Sequence, residues 1–497
     1  MKIKQIYIIL LLLPLFFSCN DWFDGALPRD RNLEQDQFSS EEGINAVLNG
    51  IYRSFSSESL YGGKLTMTTV ELMAHYYHYA DNLTNQTDYT KFNNISKYLY
   101  SEDPVKTEFS AIWKDAYNTI FRINNFIHNV SETSVISAQK RDILLGEAYG
   151  LRAYLHFDLF RLFGENNIPY NRSWEVEPQQ QLSKDDFFAL LEEDLGKAKS
   201  LLANDPVITE GIKNQYDSNV TTVSVFESYY RNCRMNYYAV LAFQARELMY
   251  KGDIHGAANA AQQTLDACFG EDKPFNWANK LKITEQHNYV FYSEVIFAVN
   301  NLELYNRWTT YTGGTKAGLT YTVDVVNLKG NIFKYDDTGG DMSLWEDVRI
   351  RQWTASKMGG EHYVSNKFNE YSRSDYYNLI DPIEYFQPLI RTSELFYIIA
   401  ENEIANGNYS SAMEKLNNFR FNRGSQLSSL PDPEAANKEL CDDILETEYY
   451  KEFYGEGQVF YFLKRRNTSR IFDANSAGRW TGTPDYIVPL PEIETNI

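Results

Sequence analysis

Cysteine is scarce in this chain. Among 497 residues only four are cysteine, at positions 19, 233, 268 and 441, too few for the disulfide framework that staples small secreted folds. Cys233 and Cys268 fall on opposite arms of one predicted helical hairpin, and the reading adopted is two buried thiols rather than a bond. Positive charge is also short. Lys+Arg number 47 against 67 Asp+Glu, for a net charge of −20 spread along the chain. Nucleic acid as a partner is thereby disfavoured, because displacing its counterions needs concentrated positive charge. Beyond the first 20 residues, no apolar run reaches the roughly 20 residues needed to span a bilayer. There is no G-x-S-x-G, no H-E-x-x-H and no phosphate loop, so the familiar hydrolase, zinc-protease and nucleotide signatures are missing. No low-complexity linker divides the chain, and residues 36–497 read as one domain.

The first residues of the chain, MKIKQIYIILLLLPLFFSCN, carry Lys2 and Lys4, then an apolar run from Ile6 to Phe17, then Ser18-Cys19. A basic end, a short apolar core and a small residue before the boundary predict a signal peptide over residues 1–18. A cysteine at that boundary predicts a bacterial lipoprotein, acylated on Cys19 and followed by a polar tether to residue 35. Phe16-Phe17-Ser18 fits the lipobox loosely, since a Leu and a small residue are expected there. Membrane attachment would then come from lipid on Cys19 alone. Aromatics are abundant: Tyr 37, Phe 30 and Trp 8 make up 15% of residues. Most must build the core, and a few exposed ones would serve as stacking platforms for a sugar or another flat, partly apolar ligand.

The clearest pattern is RTSELFYIIAENEIANGNYSSAMEKLNNFRFNRG, from Arg391 to Gly424. Leu395, Phe396, Ile399, Ala400 and Ile404 define one helical face. Gly407 suits a left-handed cap, Asn408 is a candidate cap for the next helix, and Ala412, Met413, Leu416 and Phe419 form its apolar side. Ala245, Gly252, Asp253 and Ala257 match Ala400, Gly407, Asn408 and Ala412 at identical offsets. Two such hairpins resemble tetratricopeptide units of about 34 residues, which bury a face only by stacking on neighbours. Further helices are predicted after Ser39-Ser40, near Thr68 to Tyr79, over the stretches containing Ile112 to Ile127 and Leu144 to Leu155, from Leu182 to Leu202 with Ser183 or Asp185 as cap, and from Ala435 to Tyr454. Arg152 and Asp158 are expected to pair at the surface and Gly164 to end its helix. Tyr79 to Tyr100 and most of residues 275–390 lack helical period and read as loops with short β-pieces. The predicted fold is therefore mainly α: a scaffold of helical hairpins with an irregular, loop-rich insert containing short strands.

Together these elements resemble the SusD/RagB family. The resemblance rests on the lipoprotein cysteine, FSSEEGINAVLNGIYRSF, LRAYLHFDLFRLFG, the hairpin from Ser393 to Gly424, EYYKEFYGEGQVFYFLKRRN and YIVPLPEIETNI, in that order along nearly the whole chain. Gln458-Val459-Phe460-Tyr461 departs from the family's His-Arg-Trp-Phe-like sequence. The resemblance implies about four tetratricopeptide-like hairpins supporting a variable ligand face. It also implies an outer-membrane lipoprotein, facing the cell exterior, that hands a glycan or another nutrient to a TonB-dependent transporter of the SusC kind.

Capture of a sugar calls for a ring under its C–H face and amide, carboxylate or guanidinium groups at its rim. Two loop-like regions have that composition, and the family's sites draw on the same regions. The candidates are Asp81, Asn82, Phe92, Asn93 and Tyr98 in the first, and Tyr305, Arg307, Trp308 and Tyr311 in the second. Trp113 and Trp345 are assigned to structure. Asp336, Asp337 and Asp341, in a Gly-permitted turn, are candidate calcium ligands, although the spacing is not that of a complete calcium loop. His75 and His78 lack a third metal ligand. No catalytic residues and no other cofactor are expected. Capture of a peptide, hydrolysis of a surface glycan by two carboxylates across a cleft, and a pure protein-binding scaffold are the alternatives.

Overall fold

The structure, a computed structural model, describes residues 36–77, 86–213, 229–285, 287–312, 323–336, 346–355, 362–368, 385–426, 429–473 and 478–492. Cys19, the predicted signal peptide and the tether lie outside them.

Helix α1 (Glu41–Phe55) begins where the Ser40 hydroxyl accepts the Gly43 amide, with Glu41 and Glu42 in the positive first turn. Ile44, Leu48, Ile51 and Phe55 bury its inner stripe. After the short α2 (Thr69–Met73) and α3 (Gln86–Ser96) come two long helices, α4 (Asp103–Ser131) and α5 (Ala138–Phe163). Helix α5 is the axis of the molecule. From Ile143 onward it is buried on nearly every face, packed between α4 and α6 (Lys184–Leu201). Helices α7 (Tyr237–Lys251) and α8 (Ile254–Cys268) form the first recognised hairpin, and α10 (Thr392–Ala405) and α11 (Tyr409–Asn422) the second. Both turn on a glycine at positive φ, Gly252 at 94° and Gly407 at 77°, where a side chain would be strained. Helix α8 packs directly on α10, so the two hairpins stack as the repeat reading requires. Helices α12 (Lys438–Glu452) and α13 (Gln458–Arg465) complete the layer, and α12 packs on both arms of the second hairpin.

The insert between the hairpins is closed at its base by strands β1 (Val295–Asn300) and β5 (Phe386–Arg391), antiparallel with Ala298 opposite Pro388 and Val299 opposite Gln387. Within it lie α9 (Leu304–Thr312) and a small sheet of order β2-β4-β3, from β2 (Val323–Asp324), β3 (Trp353–Ala355) and β4 (His362–Ser365). A mainly α scaffold with a β-containing insert is what the sequence predicts.

Several local expectations are corrected. Arg152 and Asp158 are both buried and do not pair; Arg152 grips Asp194 at 2.7 Å and Asp158 holds Arg161 at 2.5 Å. Helical structure occupies Gln86–Ser96 and Leu304–Thr312, both read as loop. The helix predicted near Thr68 to Tyr79 shrinks to α2. Gly164 does end α5, as expected, with a right-handed φ of −63°. Asn408 makes no capping bond; its amide donates instead to Glu403 at 3.0 Å. Cys233 and Cys268 are free thiols, as expected, and Cys441 is free as well.

Candidate functional site

The residues following α1, 56–68, turn tightly on themselves through main-chain bonds such as Gly62 N–H to Ser57 O and Lys64 N–H to Glu58 O, both 2.9 Å. The second sequence-predicted region touches this loop directly, and the first reaches it through Glu108. From the insert, Arg307 on α9 donates through Nη1 to Ser56 O at 2.7 Å, Gly62 O at 3.2 Å and Asn301 Oδ1 at 3.3 Å. A Cβ at Gly62 would stand 2.1 Å from that nitrogen, so the close approach depends on glycine. The Tyr311 hydroxyl donates to Glu58 Oε1 at 3.4 Å. From the other side, Glu108 on α4 takes Lys64 at 2.6 Å, Lys91 of α3 at 3.6 Å and the Thr69 hydroxyl at 2.9 Å. Burial pulls the Glu108 carboxyl upward, but Lys64 and Lys91 outweigh it and hold the group below the usual carboxylate range.

Under the loop lies an aromatic floor centred on Tyr454. Trp308, Trp353, Tyr76 and Tyr77 each meet its ring edge-on or nearly so, with centroids 4.4 to 5.6 Å away. The Glu71 carboxylate below accepts the Gly457 amide at 2.8 Å, and burial pushes its pKa up to about 8. At the far edge, His75 (φ 55°) and Tyr98 (φ 57°) both occupy the left-handed region and stack on each other, with Trp480 4.4 Å from His75 and 5.7 Å from Tyr98. Two non-glycine residues in that conformation, facing one half-buried tryptophan, are the kind of strain that collects at functional sites. Trp480 was not singled out in the sequence. Its place in the turn-rich run Trp480-Thr481-Gly482-Thr483-Pro484 is the signal that marks it.

The predicted residues divide sharply. Asn93, Tyr305 and Tyr311 are half-buried, and Tyr311 meets the loop at Glu58. Arg307 is half-buried too, but its guanidinium is spent on the backbone carbonyls. Phe92, Tyr98 and Trp308 are core residues rather than platforms, only 3%, 5% and 1% exposed. The Tyr98 hydroxyl is committed to Met73 O at 2.6 Å and the Trp308 indole to Ser365 O at 2.9 Å. Asp81 and Asn82 lie outside the described residues, as do Asp337, Asp341 and Trp345. Trp113 is buried, in keeping with a structural role.

Asp336 is not placed for calcium. Its carboxylate is taken by Lys451 at 2.6 Å, Arg420 at 3.0 Å and the Ser425 hydroxyl at 3.1 Å, inside the protein's own ion network, and these cations hold it below its usual range against the upward pull of burial. The His75 ring is hydrogen-bonded to Ser96 O at 2.7 Å, and burial pushes its pKa down to about 4; His78 lies outside the described residues. Among the described residues no group of three His, Cys, Asp or Glu side chains converges as a metal site. The adjacent carboxylates are spent on ion pairs, Glu192 with Lys251, Glu193 with Arg172, Asp442 with Arg466 and Asp443 with Lys334. Among the described residues no helix is long and apolar enough to cross a membrane.

Two family models match the chain: one described as starch-binding, associating with outer membrane, over residues 21–212, and the SusD family over residues 293–484. SusD-like protein P2 of Formosa agariphila is 23% identical, with 99% of this chain and 97% of that protein aligned. Among solved structures, a SusD superfamily protein from Bacteroides thetaiotaomicron superposes with a TM-score of 0.67 at 18% identity, covering 92% of this chain and 98% of that one. A laminarin-binding SusD-like protein superposes with a TM-score of 0.60 at 18% identity, covering 92% and 97%.

Proposed function

Because the chain belongs to the SusD/RagB family, a family of carbohydrate-binding proteins associated with the outer membrane, we propose that it is a surface glycan-binding lipoprotein. In this reading Cys19 carries the lipid, the body faces the cell exterior, and an oligo- or polysaccharide is captured and delivered to a TonB-dependent, SusC-like transporter. The observation that carries it is the convergence of both candidate regions about loop 56–68, the insert through Arg307 and Tyr311 and α3 through Lys91 and Glu108. The half-buried Tyr311 ring, anchored at its hydroxyl by Glu58, offers flat apolar surface with little side-chain entropy left to lose. Neighbouring amides, Lys64 and Lys91 supply the polar rim. We favour a role in binding over chemistry, and the ion pairing of the adjacent carboxylates named above supports that reading.

The test is calorimetric titration of the protein with a polysaccharide panel. Saturable binding that weakens about tenfold in Tyr311→Ala supports this reading. Binding of peptides alone would favour the peptide-capturing alternative, and shortened glycan products would favour a hydrolase.

A further inference from the structure

The loop after α5 presents a ring that the scaffold does not bury. Trp174 keeps 42% of its surface exposed, yet it is held in place. His128, in the last turn of α4, stacks on one side of it with centroids 4.1 Å apart and planes 14° apart. The backbone ahead of the ring is fixed from inside the protein. Asn124 of α4, itself buried, donates through Nδ2 to Ser173 O at 2.9 Å and to both Asn171 O and Asn171 Oδ1 at 3.2 Å. Its own Oδ1 accepts from Arg152 Nη1 at 2.9 Å, and Arg152 is clamped on Asp194. The Asn171 amide donates to His156 Nε2 at 2.9 Å. Two side-chain turns complete the frame: Ser173 N–H to Asn171 Oδ1 at 2.8 Å and Glu175 N–H to Ser173 Oγ at 3.1 Å. A buried ion pair, an amide and an imidazole therefore hold one indole out at the surface, stacked on His128 and still 42% exposed.

We propose that Trp174 and His128 form an accessory platform for one neutral hexose ring of a glycan chain, apart from the site around loop 56–68. The proposal rests on the glycan-binding reading above. The free indole face is flat and apolar, matching the C–H face of a sugar ring, and it is already rigid, so binding freezes little further motion. Ser173 and Glu175 stand beside it for hydroxyls, and the nearby acids Glu175 and Glu177 disfavour an anionic sugar. Among the described residues the large apolar side chains exposed in this loop are Trp174 and Val176, far below the roughly 800 Å² per partner of a stable protein interface. At about 1.5 Å rise per residue, α4 sets His128 roughly 30 Å from Glu108 of the main site. The platform thus adds a second point of attachment on a polymer rather than extending the first, and two attachments multiply.

Native electrophoresis of the full chain in gels containing laminarin, amylopectin or galactomannan tests this. Wild type should be retarded by at least one polymer, and Trp174→Ala should be retarded about three- to tenfold less in that gel. Trp174→Tyr, which keeps a ring, should recover most of the retardation and shows that the loss is not misfolding. Equal retardation of Trp174→Ala and wild type overturns the platform while leaving glycan binding intact. Failure of all three polymers to retard wild type removes the glycan reading, and the platform with it.

Discussion

Arg423 on α11 reaches Glu452 on α12 at 2.6 Å, and both side chains are wholly buried. Glu452 also accepts Arg391 at 2.5 Å and Arg349 at 3.0 Å, the latter from the insert. Arg423 in turn holds Glu294, just before β1, at 2.6 Å. Around them the cations Arg349, Lys367, Arg391, Arg420, Arg423 and Lys451 meet the anions Glu294, Asp336, Asp347, Glu448, Glu452 and Glu456. The network is balanced, and it ties the second hairpin to the insert that carries half of the candidate site.

Breaking one member of such a network leaves a buried charge uncompensated. Glu452→Gln should lower the unfolding free energy by about 3–5 kcal/mol. The midpoint of urea unfolding, at unchanged slope, measures it.

Trp308 and Tyr311 lie one turn apart on α9 and should separate cleanly. Trp308→Ala removes a buried ring and its bond to Ser365 O, and should cost about 3–5 kcal/mol of stability. Tyr311→Ala should leave stability within about 1 kcal/mol and weaken glycan binding instead. Thermal unfolding paired with calorimetric titration of each variant distinguishes the two.

Acid should weaken the fold through two histidines. Burial lowers His75 from 6.5 to about 4 and His156 from 6.5 to about 3. The folded state therefore binds fewer protons than the unfolded chain across that window, and stability falls as pH drops from 6.5 towards 4. His156→Gln should flatten part of the slope in a plot of melting temperature against pH.

Glu71 acts in the opposite sense. Burial raises it from 4.5 to about 8, so its neutral form favours the fold, and that contribution is lost as pH rises from about 4.5 through about 8. Glu71→Gln should make stability less sensitive to pH over that range, as read from the same melting curves.

The scaffold was legible because burial writes a period into sequence. Ile44, Leu48, Ile51 and Phe55, or Gly252 and Gly407 at equivalent turns, declare a helix or its end locally. Partners were not legible. Arg152 finds Asp194 and Arg246 finds Glu394 across helices, at 2.7 and 2.6 Å, and nothing local marks such a pair, so Arg152 and Asp158 were matched to each other by proximity alone. Composition misled at α3, where Asn, Thr and Tyr give little helical propensity. Tertiary packing overrides it by burying Phe92 and Ile95. Composition misled again at Trp308, whose burial is decided by Phe368, Tyr454 and Ser365 far along the chain. A ring in a loop-like stretch can be floor or platform; only the neighbours decide.

The central claim is that the surface around loop 56–68 binds a glycan. Calorimetric titration of the full chain with laminarin, amylopectin and galactomannan, alongside Tyr305→Ala and Tyr311→Ala, addresses it most directly. Saturable binding to at least one polymer is expected, weakened about tenfold by either substitution. Binding that both substitutions leave unchanged, or no binding to any polymer by wild type, contradicts it.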